Sequence, residues 1–356
     1  MNSGRVAVAV DIGGTSLRVA TIDSFGRLHG EVARRPMTFD ADGHADVNAV
    51  LGAIEPPLAE ARRIAGKNLP VGVSLCGNVD ADTGHATLVP NLGWRHVPFG
   101  RLASARLGTM VRVCVDTQAA GLAEAIWGVG RRVSPFLWVT LGTGFGSCLV
   151  VDGLPYRGAH GYAGLIGHTS LDEVNGRVCG CGRRGCVETI VAGPAIVRAG
   201  QEAAVRNPRS MIAALAGAAP VTAAHVFQAF LARDPEAVEI VDDVADVLAS
   251  SLASAVNLLD PSLIVLGGGV VGGAPWLVAE LDRRIRPRLQ AEESRRDLRL
   301  ATESFPDSPL WGAAAFALGY DSPLAAQTVE ITEGHPPEPL SAPIEVSRQD
   351  ISRTGV

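Results

Sequence analysis

The chain has 356 residues, a length at which one hydrophobic core usually gives way to two, so we expect two domains. Its formal net charge of −6 argues against a surface that binds nucleic acid, and no apolar run approaches the length of a membrane span. A strand begins almost at once, without the apolar segment of a signal peptide, and we therefore expect a cytoplasmic protein with neither a nucleic-acid nor a membrane partner.

The first predicted element is a buried strand that ends in the turn Asp11-Ile12-Gly13-Gly14-Thr15 and returns as a second strand. Glycine lets a backbone approach an anion closely, and its N–H groups can surround phosphate oxygens, so Gly14 and Thr15 are candidate phosphate-binding residues. Asp11 has the chemistry to hold Mg²⁺ through a water molecule. An ordinary glycine hairpin turn explains these residues equally well.

Helical periodicity follows over residues 45–65, and the pair Pro56-Pro57 predicts a break in that helix. A strand at residues 71–75 then leads to Gly77, and a polar loop further on contains Asn91. An asparagine side chain both donates and accepts hydrogen bonds, which suits recognition of a hydroxyl, although asparagine is more common as a turn residue. Asn91 is therefore a candidate binding residue with a structural alternative.

The most informative junction lies where a β-branched strand at residues 111–115 meets Asp116 and a helix of small residues. Ligands of α/β sheets bind at the carboxyl ends of the strands, and a carboxylate there can accept the proton of a substrate hydroxyl. Taken alone, capping of the helix explains Asp116 better, because aspartate is a common N-cap residue. The motifs that follow favour the catalytic interpretation, with Asp116 as a general base.

A second strand–turn–strand hairpin carries Gly142, Thr143 and Gly144 and repeats the pattern of the Asp11 turn. Two such turns favour phosphate binding more than one does, because a nucleotide held between two similar domains needs both. A third glycine turn, with Gly268 and Gly269, follows a buried strand at residues 262–266. Its exposed backbone is suited to lie against a flat adenosine.

Three cysteines crowd into one glycine-rich segment, with the spacing C-x-C-x4-C at Cys179, Cys181 and Cys186, and His168 precedes them. In a reducing compartment this crowding indicates a metal rather than disulfides, and three thiolates with one imidazole complete a closed tetrahedral zinc site. Because four protein ligands leave no open position, the zinc is expected to be structural and to fix the loop that carries Glu188. Thiols without a metal are the alternative.

Together these motifs resemble the ROK family of sugar kinases and related regulators, over about residues 6–318. The resemblance rests on D-x-G-G-T at Asp11–Thr15, P-N-L-x-W at Pro90–Trp94, T-L-G-T-G at Thr140–Gly144, G-H then C-x-C-G-x-x-G-C-x-E within Gly167–Glu188, and L-G-G-G at Leu266–Gly269. It implies an α/β fold of the two-domain, actin-like ATPase type (hexokinase-like, ribonuclease H-like), with a small zinc-stapled loop at residues 168–186.

The implied division places an N-terminal α/β domain at residues 1–116, with a C-terminal helix at 309–320 packing back on it, and a larger α/β domain at 117–308. Residues 321–356 are rich in Pro, Ser, Thr and Glu and are predicted to form a disordered tail. Kinases of the family commonly form homodimers through the larger domain, and the resemblance implies a homodimer here.

The resemblance also implies a role for each matching residue. Asp116 is the expected catalytic base. The implied acceptor site consists of Gly77, Asn91, Asp116, His168 and Glu188, with His168 also a zinc ligand. The implied ATP site consists of Asp11, Gly14, Thr15, Gly142, Thr143, Gly144, Gly268 and Gly269, and Mg²⁺ is expected to enter with the nucleotide.

Two positions depart from the family where its side chains hydrogen-bond the ring hydroxyls of a hexose. Val115 stands where the family usually has Asn, and Leu165 where it usually has Glu. Each hydroxyl left unpaired costs roughly 1–3 kcal/mol, so we expect glucose use to be poorer on the order of a hundredfold or more. An amino or deoxy sugar, or a C7-cyclitol of secondary metabolism, fits such a pocket better. Cys76 also replaces a usual Pro, and Ser16 a usual Lys.

The sequence therefore favours an ATP-dependent kinase that phosphorylates a primary hydroxyl of a hexose-like polyol other than glucose. The alternatives are a glucokinase-like hexose kinase and a non-catalytic, sugar-binding regulator. Repressors of the family carry a helix-turn-helix domain ahead of the first phosphate loop, and the ten residues before Asp11 are too few for one. Such a regulator would therefore lack a DNA-binding domain.

Overall fold

The computed structural model describes residues 4–322. Its strands are β1 (Val6–Ile12), β2 (Ser16–Asp23), β3 (Leu28–Pro36), β4 (Val71–Leu75), β5 (Asn78–Asp80), β6 (His85–Val89), β7 (Trp94–Val97), β8 (Val111–Val115), β9 (Phe136–Leu141), β10 (Phe145–Val151), β11 (Leu154–Pro155), β12 (Leu263–Gly267) and β13 (Arg299–Thr302). Its helices are α1 (Val47–Ala65), α2 (Phe99–Leu107), α3 (Asp116–Ile126), α4 (Glu188–Val191), α5 (Gly193–Arg206), α6 (Met211–Ala216), α7 (Ala223–Leu231), α8 (Pro235–Leu259), α9 (Gly269–Gly273), α10 (Leu277–Ile285), α11 (Glu292–Asp297) and α12 (Ser308–Ala317). None of these helices is long and apolar enough to cross a membrane.

The first sheet has the strand order β3-β2-β1-β4-β8, with β1 and β2 antiparallel and β1, β4 and β8 parallel. The alternating sequence of β1 explains how both faces are covered, because Val8 and Val10 belong to one core and Ala7 to another. Small side chains on the second face let α12 approach closely. A Cβ at Gly72 would lie 1.8 Å from the carbonyl oxygen of Ala313 in that helix.

The second sheet has the order β11-β10-β9-β12-β13 and repeats the plan of the first. A hairpin at one end, with β10 and β11 antiparallel, is followed at the other end by parallel strands β12 and β13. The glycine turns occupy matching places, one between β1 and β2 and the other between β9 and β10. Strands β5, β6 and β7 form a small third sheet.

The contacts divide the described chain into two compact units. The first unit holds residues 4–136, 148–164 and 303–322, and the second holds 137–147 and 165–302. The first unit extends past Asp116 because α3 packs directly on α12, where a Cβ at Gly312 would lie 1.8 Å from the carbonyl oxygen of Ala119. Helix α12 also packs on β1 and β4.

Helix α1 runs without interruption through Pro56 and Pro57, so the break predicted there is wrong. The helix buries one apolar face that includes Ile54 and Leu58, on either side of the prolines. Burial of side chains of this size stabilises by about 1.5–3 kcal/mol each, which offsets the two backbone hydrogen bonds that proline cannot make.

The predicted tail at residues 321–356 lies outside the described residues, apart from Asp321 and Ser322. The side chain of Asp321 is buried, and its carboxylate pairs with Arg112 at 2.6 Å and with Arg157 at 2.8 Å. Asp321 therefore belongs to the folded first unit rather than to the tail.

Candidate active site

The first unit gathers its candidate residues where three parallel strands end in register. Ile12 of β1 pairs with Leu75 of β4, and Leu75 pairs with Val115 of β8. The residues that follow these three are Gly13, Cys76 and Asp116, so they emerge side by side at the carboxyl edge of the sheet. This is the edge at which α/β proteins bind ligands.

Asp116 is the first residue of α3, but its carboxylate does not cap the helix. The N-cap position is Val115, and the Asp116 carboxylate accepts a hydrogen bond from the backbone N–H of Thr117 at 2.7 Å. Burial raises the pKa of Asp116 to about 6, the negative charge of Asp11 adds to the rise, and hydrogen bonds from Thr117 and Cys76 oppose it. A carboxylate with this pKa is largely ionised at neutral pH and is a better proton acceptor than an ordinary aspartate.

Asp11 is buried and is fixed by its neighbours across the sheet. It pairs in register with Arg18 of β2 and with Ser74 of β4. The Ser74 hydroxyl donates to the Asp11 carboxylate at 2.5 Å, and the Arg18 guanidinium donates to its other oxygen and also to Asp307. Burial raises the pKa of Asp11, and Arg18 and Ser74 oppose the shift. The motif alone did not reveal Arg18 or Ser74, although pairing the predicted hairpin strands places Arg18 opposite Asp11.

The other candidates of the first unit lie around the same edge. Thr15 and Asn91 are exposed, and a Cβ at Gly14 would lie 3.1 Å from the Asn91 Cβ, so the glycine turn and Asn91 are adjacent. The Asn91 amide nitrogen lies 3.7 Å from the Cys76 sulfur. Gly77 has a structural reason to be glycine, because a Cβ there would lie 2.6 Å from the carbonyl oxygen of Leu88.

In the second unit, Glu188 holds the glycine turn between β9 and β10. The Gly142 N–H closes the turn by donating to the Gly144 carbonyl at 3.0 Å, and Thr143 is exposed at its tip. The Phe145 N–H donates to Glu188 Oε2 at 2.9 Å. A Cβ at Gly144 would lie 2.6 Å from the same oxygen, so glycine is required there for Glu188 to approach.

The third glycine turn lies against the second. Gly268 has a φ of 92°, in the region that favours glycine, and a Cβ there would lie 2.5 Å from the carbonyl oxygen of Leu141. Gly269 is exposed, and its nitrogen lies 3.7 Å from the position of a Cβ on Gly142. The second unit thus brings Gly142, Gly144, Gly268 and Gly269 together.

The predicted metal ligands are also brought together, within the second unit. The ligand atoms of His168, Cys179, Cys181 and Cys186 lie within 4.8 Å of one another. The distance from Cys179 Sγ to His168 Nδ1 is 3.7 Å, and that from Cys181 Sγ to Cys186 Sγ is also 3.7 Å. Four ligands at zinc bond lengths around a tetrahedral ion are separated by about 3.3–3.8 Å, so the donor set and its spacing fit Zn²⁺. Cys179 Sγ further lies 3.6 Å from Glu188 Oε1, which links the cluster to the glycine turn.

A comparison with protein families shows which family the chain belongs to. The model of the ROK family matches residues 7–319. The chain is a member of the ROK family.

Relatives and solved structures support this membership. The chain is 32% identical to a glucokinase of Halalkalibacterium halodurans, over 75% of this chain and 81% of that protein. It is 33% identical to an N-acetylgalactosamine kinase of Shewanella sp., over 73% of this chain and 80% of that protein. The crystal structure of a ROK family glucokinase from Streptomyces griseus, in complex with glucose and AMPPNP, covers 88% of this chain and 99% of its own, with a TM-score of 0.76 and 28% identity. The chain thus has the α/β, actin-like fold of the ROK sugar kinases, and it is an enzyme of this kind.

Proposed function

We propose that the protein transfers the γ-phosphoryl group of ATP to a primary hydroxyl of a hexose-like acceptor other than plain glucose. The observation that carries the phosphotransfer is Asp116, a carboxylate with a pKa of about 6 at the carboxyl edge of a parallel sheet. It accepts the proton of the acceptor hydroxyl as the oxygen attacks phosphorus.

ATP binds the glycine turns in this proposal. Backbone N–H groups of Gly14, Thr15 and the Gly142–Gly144 turn would donate to phosphate oxygens, and the backbone of Gly268 and Gly269 would bind the adenosine. The carboxylate oxygens of Asp11 are already engaged by Arg18 and Ser74. Asp11 would therefore hold Mg²⁺ through water molecules, and the chemistry that the ion would supply is neutralisation of phosphate charge.

The zinc site, in this proposal, orients acceptor-binding groups without taking part in the reaction. Zn²⁺ held by His168, Cys179, Cys181 and Cys186 has no open position, so its contribution is to fix the loop. Glu188 lies against Cys179 and accepts the Phe145 N–H, which supports a fixed orientation for its carboxylate. A histidine that binds metal through Nδ1 has Nε2 on the far side of the ring, where it can donate to an acceptor hydroxyl.

Two apolar side chains carry the proposal that glucose is a poor acceptor. Val115 immediately precedes Asp116 and is partly exposed, and Leu165 is 50% exposed two residues before Gly167 and His168. Neither side chain can hydrogen-bond a ring hydroxyl. A sugar without hydroxyls at these places therefore leaves fewer polar groups unpaired than glucose does, and it binds with a smaller free-energy cost. Amino or deoxy sugars and C7-cyclitols are the classes that meet this condition.

The test is a panel of acceptors, with ADP release measured by a coupled assay. Glucose, mannose, N-acetylmannosamine, kanosamine and C7-cyclitols are compared, with Asp116→Asn as the blank. The expected result is a kcat/KM for one non-glucose acceptor at least tenfold above that for glucose. Glucose as the best acceptor would support the glucokinase-like alternative. Tight binding of ATP and an acceptor without ADP release would support the non-catalytic alternative.

The proposed assembly is a homodimer, which rests on the family resemblance. Light scattering coupled to gel filtration tests it, because a dimer has twice the 37.0 kDa mass of the chain. A monomer at micromolar concentration would contradict it.

A further inference from the structure

Cys76 is an exposed cysteine at the carboxyl edge of the first sheet. It follows β4 directly and emerges next to Asp116, because Leu75 and Val115 pair across the parallel strands. The thiol makes a hydrogen bond with the Asp116 carboxylate. The Asn91 amide donates to the same sulfur, at 3.7 Å. The sulfur therefore connects the candidate base with a candidate acceptor-binding side chain, all within the first unit.

The direction of these hydrogen bonds follows from the groups themselves. An ionised carboxylate only accepts, an amide nitrogen only donates, and a thiol can do both. The chain of donors therefore runs from Asn91 to Cys76 and from Cys76 to Asp116.

We propose that Cys76 is a positioning residue for phosphoryl transfer in this enzyme, because its thiol fixes the orientation of the Asp116 carboxylate and couples it to Asn91. The inference rests on the proposed function of Asp116 as base. Cys76 takes no part in the bond changes. Its thiol keeps its proton, while the proton of the acceptor hydroxyl moves to Asp116 as the acceptor oxygen bonds to phosphorus and ADP leaves.

The groups that act on the Asp116 carboxylate determine what loss of the thiol does. Burial disfavours the ionised form most, and Asp11 of β1, whose charge Arg18 offsets, adds to this. The Thr117 N–H and the Cys76 thiol favour the ionised form. Removal of the thiol takes away one of the groups that favour the ionised form, so the pKa of Asp116 should rise. The acidic limb of the kcat/KM profile is therefore expected to move to higher pH, since the base must be ionised to work.

The first test compares Cys76→Ala with Cys76→Ser at the best acceptor. Alanine removes the donor, and we expect kcat to fall on the order of fivefold or more and the acidic limb to rise, with KM for ATP unchanged. Serine restores a hydroxyl donor, and we expect it to recover most of kcat and the original acidic limb. Equal behaviour of the two variants, or an acidic limb that stays in place, would overturn the proposal.

The second test needs no kinase activity. Wild type and Asp116→Asn are alkylated with iodoacetamide at pH 7.5, and the modification of Cys76 is followed by peptide mass spectrometry. A neighbouring carboxylate disfavours the thiolate, so we expect alkylation of Cys76 to be about three- to tenfold faster in Asp116→Asn. Alkylation of both proteins in denaturant, where Cys76 is unfolded and its rate should be equal, serves as the control. Equal rates at Cys76 would overturn the contact. A faster rate in Asp116→Asn, together with a wild type that phosphorylates no acceptor, would locate the failure in the proposed function.

Discussion

In the first unit, the register of parallel strands places Asp11, Cys76 and Asp116, whereas in the second unit a loop places His168 and Glu188. The first arrangement depends on buried strands, with Ser74 and Arg18 bonded to Asp11 across the sheet. The second depends on four clustered ligands and on glycines that let Glu188 approach the turn. Changes in metal content should therefore leave the position of Asp116 unchanged but should move His168 and Glu188.

The largest fall in kcat should come from a substitution of Asp116 in the first unit. Asp116→Asn keeps the shape of the side chain but removes the proton acceptor, and general-base catalysis contributes about 10²–10⁴-fold. We expect kcat to fall within that range, with the affinity for ATP unchanged. Calorimetry of ATP binding beside the coupled assay checks both parts, and a variant that retains more than a tenth of kcat would exclude Asp116 as the base.

The metal cluster should give the next largest effect. Cys181→Ser should weaken the proposed zinc site, and loss of its support for Glu188 should reduce kcat/KM about 10–100-fold. Metal analysis by mass spectrometry should show less than one zinc per chain. Cys148→Ala is the matched control, because Cys148 is a buried cysteine outside the cluster. This variant should keep both its zinc and its affinity for the acceptor. A zinc-free Cys181→Ser with full activity would contradict the role of the loop.

The proposed acceptor preference can be tested by substitution. Val115→Asn with Leu165→Glu places polar side chains at the two positions proposed to disfavour glucose. We expect the ratio of kcat/KM for glucose to that for the best acceptor to rise about 10–100-fold. Val115→Leu with Leu165→Met, which changes both side chains but keeps them apolar, is the control. An unchanged ratio in the polar variant would mean that other residues select the acceptor.

The last prediction concerns the pH dependence of the stability of the first unit. Glu124 of α3 is buried and accepts hydrogen bonds from the Ser304 N–H at 2.6 Å, the Ser304 hydroxyl at 2.7 Å and the Val129 N–H at 3.0 Å. Burial raises the pKa of this carboxyl from 4.5 to about 7, against those hydrogen bonds.

The folded state therefore binds a proton more tightly than the unfolded state. The contribution of Glu124 to stability is full below about pH 4.5 and is lost as pH rises to about 7, by about 3 kcal/mol. Denaturant unfolding between pH 5 and 8 should show this decline in wild type and a flatter profile in Glu124→Gln. Parallel pH profiles of the unfolding free energy in the two proteins would contradict this role of Glu124.

The parts of this molecule that local sequence encodes are the parts that could be predicted. The β-branched and alternating strands, the glycine turns and the Cys–His spacing are local patterns, and the structure has strands, turns and a ligand cluster at those places. The strands predicted at residues 71–75 and 111–115 coincide with β4 and β8, and the strand predicted at 262–266 is displaced by one residue in β12.

What could not be predicted depends on residues distant in sequence. Arg18 meets Asp307, and Asp321 meets Arg112, only after the C-terminal segment packs on the first unit. Helix α1 continues through two prolines because of tertiary burial that local propensity does not include. The contact of Cys76 with Asp116 appears only when the strands are aligned, since forty residues separate them in the chain.

The most direct measurement is ³¹P NMR of the reaction mixture with ATP and the best non-glucose acceptor, for wild type and Asp116→Asn in parallel. Wild type should form a phosphomonoester on a primary carbon of the acceptor, in step with ADP, and Asp116→Asn should form at least a hundredfold less. Inorganic phosphate as the only product of wild type, or equal product with both proteins, would contradict it.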